Sequence, residues 1–204
     1  MDTNIIKLIN DNKYNTAVEV GVREGYSTKQ LIEDTCLTNI YGVDILKNNN
    51  ASKIVSQHKD VYTYIIKDSI SASLDFDNEY FDFIYIDANH LYRYVLEDLM
   101  FWYPKLKKGG IICGDDYVKC NNPTEGIYGI VDAVEDFCED NGIDVKIINM
   151  PGINKETRKE LSIKYGKELE DNLWLIHSYM VPPHTLIGRK KTEKTTNLNW
   201  YFTK

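Results

Sequence analysis

The stretch FDFIYIDANHLY, residues 81–92, joins an apolar segment to a group of polar side chains. Its first six residues are apolar apart from Asp82, a composition typical of a strand that is buried on both faces. Asp87, Asn89 and His90 follow directly. Ligands of open parallel sheets bind beyond the carboxyl ends of the strands, so this stretch predicts a core strand that ends at a binding site.

Length and composition describe an ordinary globular chain. It has 204 residues, 43% hydrophobic and 27% charged, which suits a single domain spanning residues 1–204. The net charge of −7 argues against a nucleic-acid surface, which needs clustered basic residues. We also expect no membrane span and no signal peptide, because no long apolar run and no basic start precede the first predicted strand. A cytoplasmic location is therefore expected.

Four cysteines are present, at positions 36, 113, 120 and 138. They show no CxxC or other metal-ligand spacing, which favours reduced thiols in a cytoplasmic protein. Their number is even, so the sequence leaves a disulfide open.

Strand patterns alternate with helix patterns on both sides of the opening stretch. This alternation predicts an α/β fold: a Rossmann-like, doubly wound, mostly parallel sheet of seven strands. Lys107, Lys108, Gly109 and Gly110 are predicted to end a helix, as basic residues followed by glycines usually do. The predicted strands are 17–22, 39–44, 62–67, 81–87, 111–114 and 145–149, and the predicted helices are 27–34, 51–57, 92–104 and 130–138.

The C-terminal part is less regular. Residues 154–171 are charged and are predicted to form a helical insertion, a lid or a subunit contact. Residues 173–178 and 185–189 have strand composition, and at least one of these strands is expected to be antiparallel near the sheet edge. In the polar tail, 190–204, Trp200 and Tyr201 suggest docking on the domain or on a second subunit, so a homo-oligomer is possible on this pattern.

A glycine-containing turn lies early in the chain, in VEVGVREGYST, residues 18–28. Glu19, Gly21 and Gly25 fall at a strand-to-helix turn, and Ser27 lies where the helix begins. Glycines allow close approach of a ligand, and free amides at a helix start suit an anionic group. The spacing does not match the G-x-G-x-x-G of NAD sites, and a tight turn without any ligand is an equally good interpretation of the glycines alone.

Acidic residues follow the predicted strands one after another. Each alone is commonly a loop residue or a helix cap, but together they predict a ligand site at the carboxyl edge of the sheet. An acid after the second strand is the type of residue that binds ribose hydroxyls in doubly wound nucleotide sites. These polar strand ends are Asp44, Asp68 with Ser69, Asp87, and Asp115 with Asp116.

The motif E-x-G-x-x-x-G, these acids and the block "IDANHLY…DL…WYPKLKKGGIICGDDY" resemble the class I S-adenosylmethionine-dependent methyltransferases. More narrowly, they resemble metal-dependent small-molecule O-methyltransferases, including macrocin-type sugar O-methyltransferases. The resemblance covers about residues 16–149, and the block from Asp87 to Tyr117 is its most specific part.

The resemblance implies S-adenosylmethionine as methyl donor and a divalent metal. It places Asp44 at the ribose and Asp68 near the adenine. The turn from Glu19 to Gly25 would wrap the methionine part. The resemblance implies the following sites: cofactor binding by Glu19, Gly21, Gly25, Ser27, Asp44, Asp68, Ser69 and Asp87, and metal binding by Asp87, Asp115 and Asp116.

The metal also has support from chemistry. Three carboxylates from neighbouring strand ends repel one another unless a cation offsets their charge. An all-oxygen ligand set suits Mg²⁺, which would keep open positions for water or substrate hydroxyls. The alternative is that Asp116 caps the next segment while only Asp87 and Asp115 face the site.

His90 is the candidate general base. A hydroxyl beside a metal loses its proton more readily, and an imidazole is able to accept it. The alternative is a structural histidine that caps the following helix. Many relatives carry a further acid where this chain has Asn89, which leaves the identity of the base open.

The sequence contains no motif that identifies the methyl acceptor. The resemblance favours a hydroxyl of a sugar or polyol, with a catechol-like phenol second, covered by residues 119–128 and 154–171. Two other functions stay open on sequence grounds: an NAD-dependent oxidoreductase on a similar fold, and a non-catalytic nucleotide-binding protein derived from a methyltransferase.

Overall fold

Seven strands form one sheet in the order β3-β2-β1-β4-β5-β9-β8. The computed structural model describes residues 1, 3–117, 121–122, 126–148 and 199–204. The first five strands in chain order pair in parallel, and β9 is antiparallel to both of its neighbours. The strands of this sheet are β1 (Thr16–Val20), β2 (Asn39–Asp44), β3 (Tyr62–Ile66), β4 (Phe81–Ile86), β5 (Leu106–Gly114), β8 (Lys146–Ile148) and β9 (Asn199–Thr203).

Helices connect the parallel strands, and a short two-stranded ribbon lies before the last helix. The ribbon pairs β6 (Asn121–Asn122) with β7 (Gly126–Ile127). The helices are α1 (Thr3–Asp11), α2 (Tyr26–Asp34), α3 (Asn49–Gln57), α4 (Ser69–Ser73), α5 (Tyr92–Trp102) and α6 (Ile130–Asn141), with a 3₁₀ turn at Tyr103–Lys105.

The core lies on both faces of the sheet, because alternate residues of a strand point to opposite sides. Every residue of β1 is buried, which fits a central strand covered by helices on both faces. Val18 and Ile84 belong to the core on the α5 and α6 face, while Ala17 and Phe83 belong to the core beneath α1 and α2. The carboxyl ends of β1, β2, β4 and β5 therefore meet at one edge.

The predicted Rossmann-like architecture is confirmed, with local differences. The Lys107–Gly110 segment does not end a helix: it lies inside β5, which starts at Leu106 because Leu106 pairs with Phe81 at the far end of β4. Helices α1 and α4 were not predicted. The sixth predicted strand, 145–149, is β8. An antiparallel strand near the sheet edge is present as β9, in the tail, whereas the segments predicted to supply it lie outside the described residues.

Several sequence-based predictions lie outside the described residues. These are the insertion at 154–171 and the strands at 173–178 and 185–189. Tyr201 of the tail is in β9 and Phe202 is buried, so this part of the tail docks on the domain itself. In the described part of the chain, Cys36, Cys113 and Cys138 are free thiols, and no helix has the length and apolar character of a membrane span.

Candidate functional site

The β1–α2 turn packs directly on the loop after β4. Gly21 has φ +97°, and a Cβ added there would lie 2.2 Å from the carbonyl oxygen of Asp87. Gly25, also with positive φ (+81°), occupies the N-cap position of α2, where no side chain caps the helix. Ser27 is half-buried in the first turn of α2. Both glycines are thus required by backbone geometry and close approach.

Glu19 is buried and turned into the core, not towards the edge. Its carboxyl is 1% exposed and accepts hydrogen bonds from the hydroxyls of Thr28 and Tyr62, the latter at 3.2 Å. Burial raises the pKa of Glu19 to about 8; the Thr28 bond lowers it and the charge of Asp87 raises it further. The carboxyl therefore holds its proton at neutral pH. Its hydrogen bond with Thr28 connects it to the first turn of α2.

Asp44 ends β2 and holds the glycine turn through its carboxylate. One oxygen accepts from the amides of Val22 and Arg23 at 3.1 and 2.7 Å, and the other accepts from Leu46 N at 2.9 Å. A carboxylate has about four acceptor positions, so capacity remains for a hydroxyl ligand. Ile45 and Leu46, which follow Asp44, are 70% and 72% exposed and form an apolar surface beside it.

Asp68 and Ser69 lie after β3 but serve mainly the start of α4. The carboxylate of Asp68 caps this helix by accepting from Ser71 N at 2.9 Å, and that bond holds its pKa below the usual value. The Ser69 hydroxyl points inward, donating to Asp98 and accepting from the indole Nε1 of Trp102 at 2.8 Å. Ser69 therefore presents no free hydroxyl to the edge in this structure.

The structure brings Asp87, His90 and Asp116 together at the ends of β4 and β5. His90 Nε2 lies 3.6 Å from Asp87 Oδ1, and His90 Nδ1 lies 3.9 Å from Asp116 Oδ2. The imidazole thus stands between two carboxylates, with the ring of Tyr128 at 4.6 Å from its centroid. A positively charged imidazole at this position would be attracted to both carboxylates.

Backbone contacts fix the position of this histidine. Asp87 N donates to Val20 O at 2.8 Å, which anchors the loop to β1. Asn89 accepts from Leu91 N at 2.9 Å and so closes a turn before α5, while His90 O accepts from Gly129 N at 2.8 Å. The cap position of α5 is Leu91, without a side-chain bond, so His90 is not the N-cap residue of that helix.

The predicted three-carboxylate metal set is not assembled. Asp115 accepts a hydrogen bond from the amide of Asp116 at 2.9 Å, and Asp116 has the left-handed φ of +52°. Asp87 and Asp116 face opposite nitrogens of His90, so the ring separates two of the predicted ligands. Within the described residues there is no group of three or more His, Cys, Asp or Glu side chains that could hold a metal ion.

A small cleft opens beside the histidine. Its polar lining residues include His90, Asn89 and Asp115, and its apolar walls come from Ile86, Val95 and Ile130. Sequence reasoning missed the apolar pair Ile45 and Leu46 and the ring of Tyr128. The exposed pair had a signal, since two aliphatic residues directly after a strand-end acid are unusual in a polar loop. The packing of Tyr128 on His90 had none.

Comparisons with known proteins give a family match and a curated relative. Residues 18–117 match the family model of a methyltransferase domain. An uncharacterised protein of Acanthamoeba polyphaga mimivirus is 30% identical over 115 residues, which are 50% of this chain and 51% of that protein. The chain therefore spans about half the length of the curated relative it matches.

Solved structures support the same fold. An S-adenosylmethionine-dependent methyltransferase from Archaeoglobus fulgidus superposes with a TM-score of 0.57 at 16% identity, over 99% of this chain and 94% of that one. Another from Leishmania major gives 0.61 at 12% identity, over 98% and 69%. A Staphylococcus aureus protein provisionally assigned as a caffeoyl-CoA O-methyltransferase gives 0.57 at 18% identity, over 72% and 77%.

At identities of 12–18%, the likeness to solved structures shows the fold alone. The family match shows that residues 18–117 are similar to a methyltransferase domain. Residues 18–117 therefore match a methyltransferase domain, and the chain has the fold of S-adenosylmethionine-dependent methyltransferases of known structure.

Proposed function

We propose that this domain transfers a methyl group from S-adenosylmethionine to a hydroxyl of a small molecule, with a sugar or polyol as the favoured acceptor. The observation that carries the proposal is the position of His90, held between Asp87 and Asp116 beside the glycine turn. A catechol-like phenol is the second acceptor class, and it would use the same histidine.

Features of the edge support a nucleoside cofactor. Asp44 keeps acceptor capacity for ribose hydroxyls, and Ile45 and Leu46 offer an apolar surface of the kind that an adenine ring covers. The start of α2 has no side-chain cap after Gly25, so its amides suit the carboxylate of the methionine part. Asp68 lies at the adenine end, and Gly21 and Ser27 line the turn. Glu19 and Ser69 act in this proposal as supports behind the site.

In the reaction, the bound cofactor supplies an electrophilic methyl group, and the chain itself must orient the acceptor and remove its proton. Nε2 of His90 is fully enclosed, on the side of Asp87. We therefore assign proton uptake to Nδ1, on the side of Asp116. Asp87 then orients the ring, and both carboxylates stabilise the imidazolium that forms.

The resemblance also implies Mg²⁺, and this part of the proposal is tested separately. Because His90 separates Asp87 from Asp116, the described arrangement does not fit a three-carboxylate site, and no step above uses a metal. If Mg²⁺ takes part, turnover stops in EDTA and returns with added Mg²⁺, and Asp115→Asn behaves like the EDTA-treated enzyme. Full turnover in EDTA with no bound metal would remove Mg²⁺ from the proposal.

The central experiment measures transfer of labelled methyl from S-adenosylmethionine to a panel of hexoses, polyols and catechols, with mass spectrometry of the products. We expect an O-methylated product that requires His90. Binding of S-adenosylhomocysteine without any transfer across the panel would favour the non-catalytic alternative. Failure to bind it at all would overturn the proposal.

A further inference from the structure

A buried carboxyl that the proposed reaction does not use lies behind the adenine side of the site. Asp98, in α5, is 4% exposed and contacts the hydroxyl of Ser69, the first residue of α4. Trp102, one turn further along α5 and fully buried, contacts the same hydroxyl through Nε1 at 2.8 Å. Two buried side chains of α5 thus converge on one serine.

The direction of these hydrogen bonds is fixed by chemistry. An indole N–H only donates, so the Ser69 oxygen accepts from Trp102; an ionised carboxylate only accepts, so the Ser69 proton goes to Asp98 when Asp98 is ionised. Asp98 is therefore the final acceptor of the chain. Replacing either end would leave a buried polar group without its partner, which is costly in a protein interior.

These hydrogen bonds link the part of the site around Asp68 to the part around His90. Ser69 directly follows Asp68, which caps α4 and lies at the proposed adenine end. Helix α5 begins two residues after His90, so the helix that carries the histidine loop also holds the start of α4. A displacement of α4 relative to α5 would move Asp68 and His90 apart.

We propose that Asp98 is a positioning residue for the cofactor: through Ser69 it holds the start of α4, and with it Asp68, where the adenine end of S-adenosylmethionine binds. The inference rests on the proposed function. An ionised carboxylate makes a charge-assisted bond that is roughly twice as strong as a neutral one. The hold on Ser69 is therefore firmest when Asp98 is ionised.

Cofactor affinity should consequently depend on pH near neutrality. Burial raises the pKa of Asp98 to about 7, the Ser69 bond lowers it and Glu97 of the same helix raises it. Between pH 6 and 8 the carboxyl loses its proton and the bond to Ser69 strengthens. We expect the affinity for S-adenosylhomocysteine to rise about fivefold over this range.

The test is calorimetric titration of S-adenosylhomocysteine at pH 6, 7 and 8. In Asp98→Asn, whose amide oxygen still accepts from Ser69 but cannot ionise, we expect the Asp98-dependent rise to disappear. Ser69→Ala should bind weakly at every pH, and Ser69→Thr, which keeps the hydroxyl, should restore the parent profile. Asp75→Asn, which changes an exposed aspartate just beyond α4, is the matched control and should behave like the parent.

A second measurement needs no ligand. The folded-state pKa of Asp98 lies above its ordinary value of 3.8, so the parent loses stability as pH rises from about 4 through 7. Asp98→Asn should lack that part of the slope in thermal unfolding. If Asp98→Asn keeps the parent's pH profile in binding, the inference is wrong while the proposed function stands. If the parent itself does not bind the ligand, both fail.

Discussion

The α-carbon of Gly21 and the carbonyl oxygen of Asp87 are so close that no side chain fits between them, since an added Cβ would lie at 2.2 Å from the oxygen. This contact joins the glycine turn after β1 to the histidine loop after β4. The two loops contact each other through their backbones at the edge of the sheet, with no side chain between them.

Gly21→Ala should therefore lower the free energy of unfolding by about 2–4 kcal/mol, from overpacking together with the cost of positive φ. Gly109→Ala is the matched control. Gly109 also has a positive φ of +78°, but no atom lies within 4 Å of the added Cβ, so only the backbone cost of about 1 kcal/mol applies. Equal losses in urea unfolding of the two variants would contradict the close contact.

Asp44→Ala should weaken binding of S-adenosylhomocysteine by roughly 10- to 100-fold, because a hydrogen bond to a charged group contributes about 1.5–3 kcal/mol. The amides of Val22 and Arg23 also lose their acceptor, so the turn should loosen. Calorimetry gives the affinity, and Asp34→Ala, an exposed aspartate at the other end of α2, serves as control. Unchanged affinity in a folded Asp44→Ala protein would take Asp44 out of the site.

Glu19→Gln should change how stability depends on pH. The pKa of Glu19 is about 8 in the folded protein against an ordinary 4.5, so the unfolded chain loses this proton first. The parent therefore loses stability between about pH 4.5 and 8, whereas the glutamine variant lacks this contribution. Urea unfolding at several pH values measures the difference, with Glu33→Gln, an exposed glutamate, as control. Parallel profiles for parent and Glu19→Gln would mean that Glu19 is ionised in the fold.

His90→Ala should slow methyl transfer by roughly 10²- to 10⁴-fold, the usual effect of losing a general base. Residual activity should rise with pH, because hydroxide then removes the acceptor's proton. Affinity for S-adenosylhomocysteine should stay near the parent value. His58→Ala, at the C-cap of α3 and away from the site, is the control. A parent-like rate at neutral pH, with chemistry rate-limiting, would return His90 to a structural role.

The strands of the sheet were predictable because their apolar runs are bounded by glycines and acids. Helix α4 was not, since its five residues are too few for a helical period to show. The placement of β9 was not predictable either. Its pairing with β5 depends on residues far apart in the chain, such as Ile111 and Thr203, and sequence periodicity carries no information about such partners.

The site was predictable as a location but less so in the direction of its side chains. The parallel topology predicts that Asp44, Asp87 and Asp116 lie at one edge of the sheet, and the structure has them there, while their roles in a site stay a prediction. Glu19 and Ser69 lie at the same edge but turn inward, to Tyr62 and Asp98 respectively. Those partners come from β3 and α5, so only the assembled fold reveals them.

The position of β9 has a consequence for the order in which the sheet is completed. Strand β8 pairs with β9 alone in the described sheet, and β9 in turn pairs with β5, which lies nearly half of the chain away in sequence. Closing so long a loop is entropically costly and slow, so β5 should acquire its outer neighbour late in folding. Strands β8 and β9 then order as one cooperative pair, and amide exchange should release them together before the five parallel strands.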